Sequence, residues 1–303
     1  MFETDFYAPS GTVLALGSFD GLHLGHAEIL ENAKQTALRN GLLPAVMLFD
    51  VHPRLAIDGT APPALISADK REKLLTGNGF GIVKVDFDAI RGLSPREFIL
   101  LLKEKLCVKA VCCGFNYRYG KNGSGSAETL RQDCAQLGIQ VSVGEPVMFE
   151  GGPVSSTRIR SCISCGDIER ANAMLGRAFS YELEVVEGDE RGRLMGFPTI
   201  NQFFELDFII PRFGVYASTV TIDGTVYPAA TNIGVRPTIG TGFSHSETHI
   251  IGFDGDLYHK NVEVSLLRFL RDEMDCGSLE NLICQLKKDV ALAKAAFDEI
   301  SAG

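Results

Sequence analysis

The chain has 303 residues, of which 45% are hydrophobic and 22% charged, and it carries a formal net charge of −9. That length suits about two domains, and the lack of any basic patch or stripe argues against a nucleic-acid partner. The acidic start Met1-Phe2-Glu3-Thr4-Asp5 lacks the features of a signal peptide. No apolar run approaches the roughly 20 residues that span a bilayer, so a cytoplasmic location without membrane contact is expected.

From residue 12 to about 145, short apolar runs (13–16, 45–49, 82–87, 110–113 and 139–143) alternate with amphipathic stretches at about 26–40, 67–77, 94–106 and 126–137. This alternation predicts a parallel sheet covered by helices on both faces. Ser94 before Pro95 predicts the N-cap and first turn of the third helix. Ligands of such sheets bind beyond the carboxyl ends of the strands. The first run ends in Gly17-Ser18-Phe19-Asp20-Gly21-Leu22-His23-Leu24-Gly25-His26. Its glycines let backbone N–H groups approach an anion, the helix behind it adds partial positive charge, and two imidazoles add donors.

Three further strings fall at comparable places: Phe49-Asp50-Val51-His52-Pro53-Arg54, Gly114-Phe115-Asn116-Tyr117-Arg118-Tyr119-Gly120 and Val154-Ser155-Ser156-Thr157-Arg158-Ile159-Arg160. Each follows a predicted strand or opens a predicted helix, so all four can line one cleft. Ordinary loop packing is the competing reading of the aromatics. The eight cysteines are scattered and read as buried or partly buried thiols. Cys162-x-x-Cys165 alone has metal or redox spacing, without a second pair.

Two short helical patterns at about 156–164 and 167–175 precede a change of texture, which sets domains of 1–177 and 178–303. Brief strands broken by Gly and Pro follow (182–186, 214–221, 225–232, 247–253 and 262–267), predicting a small antiparallel barrel. A terminal helix over about 278–299 starts at Ser278. The run Gly188-Asp189-Glu190-Arg191-Gly192-Arg193-Leu194-Met195-Gly196-Phe197-Pro198-Thr199-Ile200-Asn201 can wrap phosphates with amides and hold a divalent cation with neutral oxygens. It lacks the Gly-Lys-Ser/Thr ending of a Walker A loop. Alternation also puts His245, Glu247 and His249 on one strand face, where a metal site competes with structural histidines.

The first half, from about Thr12 to Gly176, resembles the FMN adenylyltransferase module of the bifunctional bacterial riboflavin kinase/FAD synthetases in all four strings. The resemblance implies a Rossmann-like nucleotidylyltransferase sheet and transfer of AMP from ATP to FMN with release of pyrophosphate. It implies phosphate contacts from His23, His26 and Arg158, and a nucleotide site of Gly17, Phe19, Asp20, Gly25, Ser155, Ser156 and Thr157. The flavin side would take His52, Pro53, Asn116, Tyr117, Arg118 and Tyr119. The second half resembles the riboflavin kinase module over about 178–297, through Gly214-Val215-Tyr216-Ala217, Asn232-Ile233-Gly234-Val235-Arg236-Pro237-Thr238, Glu247-Thr248-His249-Ile250, Asp256-Leu257-Tyr258 and Phe269-Leu270-Arg271.

That resemblance implies a six-stranded barrel with a terminal helix, which phosphorylates riboflavin with ATP and Mg²⁺. Gly188, Gly192 and Arg193 would meet the nucleotide, Thr199 and Asn201 the phosphates and the metal. Glu247 would be the general base, and Arg271 would border the flavin. The chain departs from the family pattern at Ser18, Asn116, Leu183, Gly252 and His259; an amide at position 116 loses the charge of the Asp common there. The alternatives are an adenylyltransferase alone with a flavin-binding barrel, or a nonenzymatic flavin or nucleotide sensor. Oligomeric state is not legible.

Overall fold

The computed structural model describes residues 2–6, 8–188, 191–235 and 244–302. Asp189, Glu190, the side chain of Arg193 and Arg236-Pro237-Thr238 lie outside the described residues. Contacts divide the chain into two compact units, Met1–Ser156 and Thr157–Gly303. The division falls ahead of the change in texture near residue 177, because the two helices before that change group with the second unit.

In the first unit the elements run β1 (Phe2–Thr4), β2 (Thr12–Leu16), α1 (Leu24–Asn40), β3 (Leu43–Phe49), α2 (Pro53–Asp58), α3 (Ala68–Gly77), β4 (Gly81–Val85), α4 (Phe87–Ile90), α5 (Pro95–Leu106) and β5 (Val108–Gly114). A two-residue ladder of β6 (Arg118–Tyr119) with β7 (Gly125–Ser126) follows, then α6 (Ala127–Gln136), β8 (Gln140–Gly144), β9 (Met148–Phe149) and β10 (Gly152–Pro153). The main sheet has the order β1-β4-β3-β2-β5-β8, parallel except for β1, an antiparallel edge strand that the sequence did not reveal.

The strands read as continuous apolar runs because both faces are covered. Leu14 and Leu16 join Met47, Val83, Phe98 and Leu130 in one core, while Val13 and Ala15 join Ile29, Val46, Leu75 and Ile82 in the other. Burying each such side chain contributes roughly 1.5–3 kcal/mol relative to leaving it exposed. The run predicted over 82–87 stops at Val85, because the Asp86 carboxylate accepts from Asp88 N (3.0 Å) and starts the single turn of α4. Ser94 caps α5 in a reciprocal box: its hydroxyl accepts from Glu97 N, and Glu97 Oε2 accepts from Ser94 N.

The division falls within the first residues of α7 (Ser156–Cys165), and the second unit continues through α8 (Ile168–Leu175), β11 (Phe179–Glu184), α9 (Arg191–Leu194), β12 (Ile200–Phe203), β13 (Gly214–Ile222), β14 (Thr225–Val235), β15 (Ser244–Ile250), β16 (Asn261–Arg271) and α10 (Leu279–Ala302). Its antiparallel sheet has the order β11-β16-β13-β14-β15-β12 and curls so that Val186, just past β11, bridges to Asn201 of β12. Strand β12 was hidden in the Pro-Thr-Ile-Asn run, where a proline and two polar residues obscure alternation. α10 packs on the sheet through small residues, Ala293 and Ala296 against Ala217 and Leu267. Ser278 caps it, its hydroxyl accepting from Asn281 N (3.2 Å). No helix among the described residues is long and apolar enough to cross a membrane.

Candidate active sites

In the first unit, β2, β3 and β5 run parallel in register, Leu16 beside Met47 and Cys113. The strings starting at Gly17, Phe49 and Gly114 therefore leave one edge of the sheet. The opening turn is built on left-handed backbone at Phe19 (φ +49°), Gly21 (φ +83°) and Leu22 (φ +44°), a conformation that a non-glycine residue adopts only when its surroundings hold it. The holders are visible. Phe19 is fully buried with its ring 5.2 Å from that of His26, and the buried Asp20 carboxylate accepts from Leu65 N (2.9 Å). Both side chains thus serve the frame of the turn rather than offering themselves to a nucleotide.

His23 is the N-cap of α1, its Nδ1 accepting from His26 N (3.3 Å). That bond leaves the proton of a neutral ring on Nε2. The two imidazoles stack with centroids 3.7 Å apart and planes at 14°, both largely buried. A Cβ at Gly25 would stand 3.2 Å from His23 Cε1 and 3.7 Å from Val154 O, so only glycine leaves the cap undisturbed there. The first turn of α1 holds no acidic residue, which keeps its partial positive charge available to an anion. Ser156 donates to Asp20 O (3.0 Å), tying the start of the fourth string to the opening turn. Ser155 is half-buried; Thr157 and Arg158 stand on the first turn of α7 at the start of the second unit.

Arg71 of α3 is a residue that no motif in the sequence marked. Its Nη1 donates to Ser18 O (3.4 Å), and its buried Nε has no partner among the described residues. Burial lowers its pKa, opposed by the field of Asp20. The second string supplies His52, whose Nδ1 caps α2 by accepting from Arg54 N (3.1 Å), with Pro53 in the first turn. The third string splits. Phe115, Asn116 and Arg118 are exposed, whereas Tyr119 is in the core and Tyr117 stacks on it (centroids 5.8 Å, planes at 9°). Burial pushes both phenols well above their usual range. Packing explains these two tyrosines without a flavin.

In the second unit, a cavity of about 470 Å³ is lined by residues that include Gly188, Thr199, Asn201, Asp254, Asp256 and Tyr258. A Cβ at Gly188 would strike the amide of Asn201, and one at Gly192 the carbonyl of Phe197, so both glycines permit close backbone passage. Across the sheet, Asn201 pairs with Glu247 and Glu247 with Asn232, whose Nδ2 donates to Glu273 Oε1 (3.4 Å), so two amides and two carboxylates gather there. Glu247 is not among the residues lining the cavity; its neighbour Asn201 is.

The same register decides the fate of the His245-Glu247-His249 face. His249 Nδ1 sits 2.8 Å from Pro198 O and its ring lies edge-on to Phe197, while His245 Nε2 is 3.3 Å from Glu247 Oε1. No cluster of three His, Cys, Asp or Glu suited to a metal exists among the described residues. Arg271 spends its fork on Asp289 of α10, Nε to Oδ1 at 3.0 Å and Nη2 to Oδ2 at 2.7 Å, with Nη1 on Asp272 O. Its geometry is that of a strut to the terminal helix, which nothing in the Phe269-Leu270-Arg271 string foretold.

Comparison with known proteins matches residues 6–158 to the FAD synthetase family and residues 175–297 to the riboflavin kinase family. Proteins named bifunctional riboflavin kinase/FMN adenylyltransferase are similar over nearly the whole chain. The one from Listeria monocytogenes is 33% identical over 98% of this chain and 96% of its own, and that from Bacillus subtilis 32% over 95% and 93%. The Escherichia coli protein is 31% identical over 95% and 93%. A crystal structure described as a macrolide-efflux protein from Streptococcus pneumoniae matches with a TM-score of 0.88 at 31% identity, covering 96% of each chain.

Proposed function

This chain belongs to the bifunctional riboflavin kinase/FMN adenylyltransferase family, and on that premise we propose which of its residues carry each reaction. The enzyme phosphorylates riboflavin to FMN and adenylylates FMN to FAD, with ATP as the donor in both steps. The two reactions fall to the two matched modules in reverse chain order.

In the amino-terminal module the phosphate of FMN attacks the α-phosphorus of ATP, and the bond to the leaving pyrophosphate breaks. The nucleophile arrives with the substrate, so the protein aligns two anions and offsets their charge. His23 and His26 face the ATP phosphates from the start of α1, with Gly17 and Gly25 giving the backbone room and Phe19 and Asp20 fixing the turn. Arg158, behind Ser155, Ser156 and Thr157, takes the pyrophosphate side as a planar double donor. Arg71 adds a guanidinium beside Ser18. His52, Pro53, Asn116 and Arg118 border the flavin. The observation that carries this half is the stacked imidazole pair at an acid-free helix start.

In the carboxyl-terminal module Glu247 takes the proton of the riboflavin 5′-hydroxyl while that oxygen attacks the γ-phosphorus and ADP leaves; such a base contributes about 10²–10⁴ in rate. Gly188 and Gly192 leave the backbone room for the phosphates, which Arg193 would also meet. The neutral oxygens of Thr199 and Asn201, on the wall of the cavity, suit a hard divalent cation that keeps water and phosphate as its other ligands. Bound Mg²⁺ would supply charge neutralisation on the phosphate oxygens. ATP as the shared donor is consistent with work in the cytoplasm.

Riboflavin, ATP and Mg²⁺ incubated with the full chain should yield FMN and then FAD by chromatography. Glu247→Ala should lose FMN formation by at least 100-fold yet still convert supplied FMN to FAD, and His26→Ala should do the reverse. Loss of both activities in each folded variant would refute the separation of sites.

A further inference from the structure

Glu247, in the middle of β15, has a side chain more than a third exposed, yet a general base works only when one oxygen is aimed at the proton it takes. Its neighbour two residues back supplies the aim. His245 is buried, its side chain 7% exposed, and Nε2 lies 3.3 Å from Glu247 Oε1. Residues i and i+2 of a strand share a face, so the contact follows directly from β15. Opposite His245 on β14 stands Gly234, where the Glu273 carboxylate fills the space that a Cβ would take. On β12 stands Phe203, its ring 6.0 Å from the imidazole at 38°.

The ring's other nitrogen fixes its chemistry. His245 Nδ1 is buried and has no partner among the described residues. A proton on Nδ1 would be a buried donor without acceptor and would turn the Nε2 lone pair towards a carboxylate. Placing the proton on Nε2 leaves Nδ1 only an unpaired acceptor and turns a donor, not a lone pair, to the carboxylate, so the environment selects the tautomer that donates to Glu247. We propose that His245 is the positioning residue for the kinase base: its Nε2–H holds Glu247 Oε1 and leaves Oε2 for the hydroxyl of riboflavin. This rests on the reading of Glu247 as the base. His249, also on that face, takes no part, since its Nδ1 meets Pro198 O.

The test uses the full-length chain and two replacements of opposite kind. His245→Phe keeps the ring and loses the donor; His245→Gln loses the ring and keeps an N–H within reach of the carboxylate. If the donor matters, His245→Phe lowers kcat for riboflavin phosphorylation about tenfold with both KM values nearly unchanged, and His245→Gln recovers most of the rate. Formation of FAD from supplied FMN stays at the wild-type level in both. Wild-type turnover in His245→Phe, or higher activity in His245→Phe than in His245→Gln, would overturn the proposal in favour of ring packing. Glu247→Gln separates the premise: if it still turns over riboflavin, the base has been misassigned and the positioning role falls with it. Should either His245 variant fold poorly, ¹⁵N NMR of the wild-type imidazole decides, since a proton on Nδ1 rules the arrangement out.

Discussion

Replacing Arg271 separates a strut from a flavin contact. Asp289, on α10, is 3% exposed and receives Arg271 Nε and Nη2 together with Gln285 Nε2 (2.9 Å). In Arg271→Leu that carboxylate keeps only the glutamine. Removing one partner of a buried pair typically costs about 3–5 kcal/mol because the other charge stays unpaired. The surviving Gln285 bond and the 22% exposure of the Arg271 side chain bring the expectation to the lower end, about 3 kcal/mol. For a unit of roughly 150 residues, each kcal/mol moves the midpoint by about 2–4 °C, so the melt should drop by about 6–12 °C. The double replacement Arg271→Leu/Asp289→Leu removes both charges and should recover most of that loss. Calorimetry of the full chain, with residual riboflavin kinase activity after heating as the marker for the second unit, reads the effect. At 15 °C the single variant should keep its KM for riboflavin. An unchanged melt together with a tenfold rise in that KM would refute the strut and restore Arg271 to the flavin border.

Gly188→Ala should push the Asn201 amide from its place and reduce riboflavin phosphorylation by about tenfold or more, while FAD formation from FMN is unchanged. Equal kinase rates in variant and wild type would show that Asn201 can give way without consequence. Burial pushes the Cys112 thiol up to about 11 and those of Cys113 and Cys134 up to about 12. Their folded values lie above the unfolded one, so the unfolded chain sheds these protons first and the first unit loses stability as pH rises from about 9 towards 12. Urea unfolding at pH 8, 9.5 and 10.5 should show the decline, and Cys113→Val with Cys134→Val should flatten it. A slope that survives both substitutions would assign the loss to other groups.

The first unit was legible because each strand carries its own signal. Runs such as Val13-Leu14-Ala15-Leu16 are apolar throughout only when helices cover both faces, and the structure divides that very run between two cores. Capping chemistry was equally local: Ser94, Pro95 and Glu97 state the start of α5 within four residues. What escaped was local competition. Asp86 ends β4 early by capping a turn, and β12 has only four residues, two of them polar. β1 becomes a strand only because β4 offers it an open edge.

The sites divide along the same line. Glycines, imidazoles and hydroxyls at the mouth of a helix announce a candidate anion site in consecutive residues, because the backbone that presents them is continuous. Arg71 belongs to that neighbourhood through α3 packing, and no spacing in the chain connects it to Ser18, more than fifty residues earlier. In the second unit the candidate site is written across strands. Asn201, Glu247 and Asn232 meet only through the register of β12, β15 and β14. Alternation along β15 did put His245, Glu247 and His249 on one face, but it is silent on what lies opposite each. Pro198 O claims His249 and leaves His245 to Glu247. A shared face therefore sets which groups can meet, and the cross-strand partners decide whether they bind a metal or hold a base.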